Sequence, residues 1–105
     1  MTTDATTTQA AIRALSEATP PDTQILLFGS QADGTAHADS DLDFLVIEPT
    51  VEDRAREMVR LRRSLRPLWV AADILVYSRD EVARWGSQPG TALYWALKEG
   101  RLVHG

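Results

Sequence analysis

The 105-residue chain contains no cysteine, which excludes a disulfide framework and thiolate metal sites. It also lacks any apolar run near the ~20 residues of a membrane span, and its start lacks the basic and apolar segments of a signal peptide. Basic residues are too few for general nucleic-acid binding, because the formal net charge is −4. These absences predict a cytoplasmic protein that does not bind membranes and is not expected to bind nucleic acid directly.

What is present is ordinary for a globular domain, with 44% hydrophobic and 25% charged residues. The Thr-rich residues 1–8 show no apolar periodicity and are predicted to be disordered, and residues 9–105 are predicted to form one domain. Such a chain has no room for a second domain that would bind an acceptor substrate. We therefore expect another molecule to supply that pocket.

Local patterns divide the domain into helices and strands. Helices are predicted over 9–18, 51–66, 79–85 and 91–99, and strands over 24–28, 42–47, 69–77 and 101–103, the last at a sheet edge. Ser78 is predicted to cap its helix together with Glu81 at the third helical position. The strand over 69–77 is apolar on both faces apart from Asp73, which is typical of a parallel or central strand.

The most informative pattern lies between the first two strands. The first strand ends on Gly29 and Ser30, whose backbone amides and hydroxyl could bind a phosphate. Asp41 and Asp43 stand at the start of the second strand, two residues apart, so that both side chains point to one side about 6.7 Å from each other. This spacing suits carboxylates that hold Mg²⁺ against a triphosphate. Taken singly, a Gly-Ser turn or an Asp at a strand start is common and without function.

Asp73 is a lone carboxylate in an apolar strand, and burying it without a partner would be costly. It could pair with an arginine or cap a turn. A metal site shared with Asp41 and Asp43 would instead offset the desolvation and the mutual repulsion of all three carboxylates.

The predicted helix over 51–66 carries six of the 11 basic residues. It could be a surface for an acidic partner or nucleic acid, or simply a solvated face with Glu52 paired to Arg56. The six arginines are Arg54, Arg56, Arg60, Arg62, Arg63 and Arg66. Near the C-terminus, Trp85, Tyr94 and Trp95 could fill a small core or anchor a partner helix.

With these residues placed, the chain resembles the minimal nucleotidyltransferase (MNT) domains of the polymerase-beta-like nucleotidyltransferase superfamily. The resemblance runs from about Ile25 to the C-terminus. It is most specific in Gly29-Ser30, in Ser40-Asp41-Leu42-Asp43, and in Asp73 as the third acidic residue. It implies an α/β (α+β) fold of the polymerase-beta-like type, with a small mixed β-sheet flanked by helices.

The resemblance also implies an activity. Members of this group use ATP as nucleotide donor and Mg²⁺, as two ions, and several are antitoxins that transfer AMP to a tyrosine of a partner HEPN toxin in a hetero-oligomer. Carried over to this chain, Gly29 and Ser30 would hold the phosphates, and Asp41, Asp43 and Asp73 would be the catalytic and metal-binding residues. Asp73 would also help to take the proton of the attacking hydroxyl.

Two alternatives remain open from the sequence. The chain could be a binding antitoxin that neutralises its partner by contact alone, which is favoured by Gln31 and Asp33 where members of the group often have arginine. It could also be a nucleotidyltransferase for a small hydroxylated molecule, which the absence of an acceptor domain disfavours.

Overall fold

The computed structural model describes residues 5–28 and 42–105 of the chain. Within these ranges the chain forms four α-helices, one short 3-10 helix and four β-strands. In chain order these are α1 (Ala5–Ala18), β1 (Gln24–Phe28), β2 (Leu42–Glu48), α2 (Arg54–Ser64), the 3-10 helix (Arg66–Leu68), β3 (Ala72–Ser78), α3 (Arg79–Trp85), α4 (Ala92–Glu99) and β4 (Arg101–His104).

The strands form one mixed sheet in the order β3-β2-β1-β4. β1 is antiparallel to both β2 and β4, whereas β2 and β3 are parallel. The predicted α/β (α+β) class with a small mixed sheet between helices is therefore confirmed. The strand predicted over 101–103 is indeed an edge strand, and β3, although parallel, forms the opposite edge.

Each face of the sheet is covered by helices, because side chains alternate between the faces along every strand. On the first face, strand residues such as Phe44 and Val76 pack with α1 and α2, whose buried residues include Leu15 and Leu61. On the second face, Leu45 and the strand residues beside it pack with α3 and α4. Both faces of β2 are buried, which explains its nearly continuous apolar sequence.

The parallel pair β2–β3 is joined through α2, which forms a β-α-β unit. Arg54 at the start of α2 fixes this unit at one end, because its Nε donates a hydrogen bond of 2.9 Å to the carbonyl oxygen of Val76 in the edge strand. Its guanidinium also pairs with Glu81 and lies 5.0 Å from the centre of the Tyr77 ring. The start of α2 is thus held at the C-terminal ends of β2 and β3.

Most predicted elements are confirmed, and the differences have local causes. α1 begins at Ala5 rather than at residue 9. Ser78 forms the predicted capping box with Glu81. The strand predicted over 69–77 starts only at Ala72, since Pro67 initiates a 3-10 turn and Trp69 takes a left-handed backbone with φ 52° and ψ 38°.

None of the helices in the described ranges combines the length and the apolar character that crossing a membrane requires.

Candidate nucleotidyltransfer site

Two of the predicted site residues, Asp43 and Asp73, lie side by side on the two parallel strands. The β2–β3 register pairs Asp43 with Asp73, one residue after the first pair of the ladder. Neighbouring strands lie about 4.8 Å apart, and paired residues of adjacent strands point to the same face. Both carboxylates therefore project from the second face of the sheet, in line with Leu45 and Leu75 farther along the same strands.

The carboxylate pair lies at the end of the sheet where β2 and β3 begin. Asp43 is half-buried, whereas Asp73 is exposed. On the other side of Asp43, the antiparallel register places Phe28, the last residue of β1, directly opposite. Phe28, Asp43 and Asp73 thus form a row across three strands, and the end of the row at Asp73 is open to solvent.

The remaining predicted residues fall outside the described part of the chain. Gly29, Ser30 and Asp41, together with Gln31 and Asp33, belong to residues 29–41, so their predicted roles stay predictions. In sequence, Gly29 follows Phe28 and Asp41 precedes β2, so the two ends of this segment join the described strands beside the carboxylate pair.

The donor set of the pair suits Mg²⁺, which prefers carboxylate oxygens and is commonly bound by one or two carboxylates plus substrate phosphates. Across residues 5–28 and 42–105, no cluster of three or more histidine, cysteine or acidic side chains is placed to hold a metal. The third predicted ligand, Asp41, lies outside those ranges, so the three-carboxylate site stays a prediction.

A second acidic group lies at the opposite ends of the parallel strands and was not anticipated from the sequence. Glu48, the last residue of β2, is only 3% exposed, and its Oε2 has no hydrogen-bond partner among the described residues. Burial, and then the neighbouring Glu57, raise the pKa of Glu48 to about 8. Arg60 donates hydrogen bonds of 2.6 and 2.8 Å to Glu57 and lowers the pKa of that carboxyl. A carboxyl with this pKa is mostly protonated at neutral pH, and the Glu57 carboxylate can accept a hydrogen bond from it. The only sequence signal was an acidic residue at the end of an apolar strand.

The aromatic residues that the sequence singled out near the C-terminus are only partly in the core. Trp85 and Trp95 are about half exposed, at 49% and 47%. Trp95 packs edge-to-face on Tyr94 with ring centres 5.4 Å apart, and the Lys98 ammonium lies 5.2 Å from the Trp95 ring centre. The core role and the partner-anchor role of these rings both stay predictions.

Comparison with known proteins supports the same fold. The family model described as "Nucleotidyltransferase domain" matches residues 9–102. No curated protein sequence matches the chain. Among solved structures, a toxin-antitoxin crystallised with AMP-PNP is 22% identical with a TM-score of 0.59, over 92% of this chain and 72% of that one.

Two further structures resemble the chain to a similar degree. A Sulfolobus solfataricus protein described as a nucleotidyltransferase is 19% identical with a TM-score of 0.60, over 92% of this chain and 76% of that one. A mutant of the toxin-antitoxin MntA-HpeT is 19% identical with a TM-score of 0.55, over 92% and 72% of the two chains. At these identities the likeness shows a shared fold. Because the family model spans nearly the whole chain, the chain belongs to the nucleotidyltransferase domain family.

Proposed function

We propose that this chain is a Mg²⁺-dependent nucleotidyltransferase that moves AMP from ATP to a tyrosine of a HEPN toxin, and that it acts as the antitoxin of that pair in a hetero-oligomer. The observation that carries the transferase part is the in-register pairing of Asp43 with Asp73 on one face of the sheet. The partner part draws on the resemblance to MNT domains and on structural neighbours that are described as toxin-antitoxin structures. The cytoplasmic location inferred from the sequence belongs to the same proposal.

In this proposal the chain's own residues bind the nucleotide and handle a proton. Gly29 and Ser30 follow Phe28 in sequence and would bind the phosphates through backbone amides and the serine hydroxyl. Asp41, Asp43 and Asp73 would hold Mg²⁺, as two ions, which when bound neutralises charge on the attacking and leaving oxygens. Of the three, Asp73 is the described carboxylate that is open to solvent, and hence to an acceptor.

The reaction is an in-line displacement at the α-phosphorus of ATP. The tyrosine oxygen forms a bond to that phosphorus while the bond from the phosphorus to the α–β bridging oxygen breaks, and pyrophosphate leaves. A tyrosine hydroxyl has an ordinary pKa of about 10, so its proton has to be removed during attack. Asp73 accepts this proton directly or through water.

The decisive experiment follows the label of radioactive ATP onto the protein encoded by the neighbouring gene. With Mg²⁺ present, label at the α-phosphate should stay on that protein after denaturation, whereas label at the γ-phosphate should not. Asp43→Asn and Asp73→Asn should each lower the rate by about 100-fold or more, because each removes a carboxylate from the reacting site. The matched control is Asp80→Asn, since Asp80 is an exposed aspartate in the first turn of α3.

A binding measurement tests the same site without turnover. Mg²⁺ together with a non-hydrolysable ATP analogue should raise the melting temperature of the native chain and of Asp80→Asn, because a ligand at about 100 times its Kd adds about 2.7 kcal/mol to stability. Asp43→Asn and Asp73→Asn should lose most of this increase. Full transfer and full thermal stabilisation in both site variants would refute the assignment.

The contact-only antitoxin remains the second candidate, because the described surface includes a strongly exposed tryptophan, Trp69, beside several arginines. On that alternative, the partner is bound and neutralised without covalent label. The α-phosphate label separates the two functions directly.

A further inference from the structure

Trp69 is an unusual residue in this fold. Its side chain is 93% exposed, far more than the other large apolar side chains of the described ranges. Its backbone is left-handed, with φ 52° and ψ 38°, which costs a non-glycine residue about 1–2 kcal/mol. The domain gains almost no burial from the indole. A bulky ring held outward in a costly conformation is therefore suited to a contact outside the domain.

A cleft of about 550 Å³, here called the Trp69 cleft, lies against this ring. The segment between α2 and β3 forms one wall, and the last turns of α2 form the other. Its lining combines a basic rim with apolar and aromatic contact surface, and it includes Val59, Arg62, Arg63, Arg66, Trp69 and Val70.

The charge of the Trp69 cleft is opposite to that of the chain. The whole chain has a net charge of −4, yet three arginines meet in this one cleft. Within residues 5–28 and 42–105, the ion pairs found on α2 use Arg54 and Arg60 and none of the cleft arginines. Exposed arginines such as Arg62, Arg63 and Arg66 can bind carboxylates of another molecule, and tryptophan and arginine are the residue types that contribute most at protein interfaces.

The Trp69 cleft opens at the same end of the sheet as the carboxylate pair. Trp69 precedes Asp73 by four residues, and four extended residues span at most about 14 Å. The connection is fixed to the sheet, because the backbone amide of Leu42 donates a 3.2 Å hydrogen bond to the carbonyl oxygen of Ala71. The cleft lies on the α2 side of the sheet and Asp73 projects from the opposite face, so a polypeptide segment seated in the cleft would pass around the edge strand β3 to reach Asp73 with a side chain a few residues away.

We propose that the Trp69 cleft docks an acidic segment of the partner protein and presents the acceptor tyrosine within that segment to Asp73. The acceptor role rests on the proposed transferase function, whereas the docking role does not. An acidic polypeptide fits better than nucleic acid, because Val59 and Val70 supply apolar contact for its side chains beside the basic rim.

The proposal is tested with a fluorescent random copolymer of glutamate and tyrosine as the probe. A lysine–tyrosine copolymer and a short single-stranded RNA serve as comparison ligands. Trp69→Ala and the double variant Arg62→Glu/Arg63→Glu should each weaken glutamate–tyrosine binding about tenfold or more. Arg13→Glu/Arg84→Glu changes the net charge equally at exposed positions outside the cleft lining and should leave binding unchanged. All of these side chains are exposed, so the variants should fold, which circular dichroism can verify.

The outcomes separate docking from catalysis. Native affinity for the acidic copolymer in both cleft variants, or no binding by the native chain, would overturn the proposal. So would RNA binding with the same dependence on Trp69 and the two arginines. Asp73→Asn should bind the acidic copolymer at least as well as the native chain and yet transfer no label to it. Label transfer by Asp73→Asn would count against the proposed catalytic role while the affinity data still decided the docking role.

Discussion

The proton that Glu48 holds makes stability depend on pH in a defined window, and Glu48→Gln should remove that dependence. The pKa of Glu48 is raised from 4.5 in the unfolded chain to about 8 in the folded protein. Between these values the folded state binds one more proton than the unfolded state, so the free energy of unfolding falls as pH rises. At about 1.4 kcal/mol per pH unit, the loss between pH 4.5 and 8 is at most about 5 kcal/mol.

Glutamine keeps the shape of Glu48, has no titrating proton, and can donate its amide hydrogen to Glu57 as the protonated acid does. At pH 4 the variant should therefore be close to the native chain in stability. At pH 9 it should be the more stable of the two, by up to a few kcal/mol. Glu57 does not add to the change in stability between pH 4.5 and 8, because its pKa is lowered. The stability that its charged form contributes is lost only as pH falls below 4.5.

The assay is urea unfolding from pH 4 to 9, recorded as the difference between Glu48→Gln and the native chain. The difference cancels the shared ionisable groups that do not interact with Glu48. Glu52→Gln is the control, since Glu52 is an exposed acid on the β2–α2 connection and should give a flat difference. A flat difference for Glu48→Gln as well would refute the reasoning that a buried proton links Glu48 to Glu57.

Three further substitutions test the packing of the fold by the same unfolding assay. Arg54→Ala should cost about 1–3 kcal/mol, because the carbonyl of Val76 in the edge strand and the Glu81 carboxylate lose a charged donor. Ser78→Ala should cost about 1 kcal/mol through loss of the capping box, with Ser78→Asp retaining most of the stability. Phe44→Ala should cost about 3–5 kcal/mol, because its fully buried ring fills the first core. Changes below about 0.5 kcal/mol would contradict each assignment.

Elements whose cause is local could be predicted from the sequence. The Ser78–Glu81 capping box needs only residues three apart, and both its position and its bonding were foreseen. The apolar run over residues 42–47 likewise predicted the strand that the structure shows as β2. Prediction failed where a single backbone conformation decided the outcome. The apolar residues Trp69 and Val70 predicted an earlier start of the strand. In the structure β3 begins only at Ala72, because Pro67 starts a 3-10 turn and Trp69 adopts a left-handed backbone conformation.

The candidate site was predictable in its chemistry but only partly in its geometry. The sequence identified Asp43 and Asp73 as carboxylates at neighbouring strand starts, but their side-by-side pairing depends on a register between residues 30 positions apart in sequence. A shift of one residue would have put the two carboxylates on opposite faces. Glu48 was missed for a similar reason, since its burial and its interactions with Glu57 and Arg60 of α2 arise only from the tertiary fold.

The β-α-β unit explains why the cleft arginines and the carboxylate pair lie at the same end of the sheet. In such a unit both parallel strands start at the same end of the sheet, and the helix between them runs antiparallel to the strands, back toward that end. The start of α2 accordingly meets the strand ends, where Arg54 bonds to Val76, and its last turns lie at the strand starts. The connection through α2 thereby brings the arginines of the Trp69 cleft to the end of the sheet that carries Asp43 and Asp73. This one topological feature therefore places the candidate reacting site and the candidate acceptor-docking surface at the same end of the sheet. Lengthening the connection between α2 and β3 should then lower label transfer while leaving the affinity for the acidic copolymer unchanged.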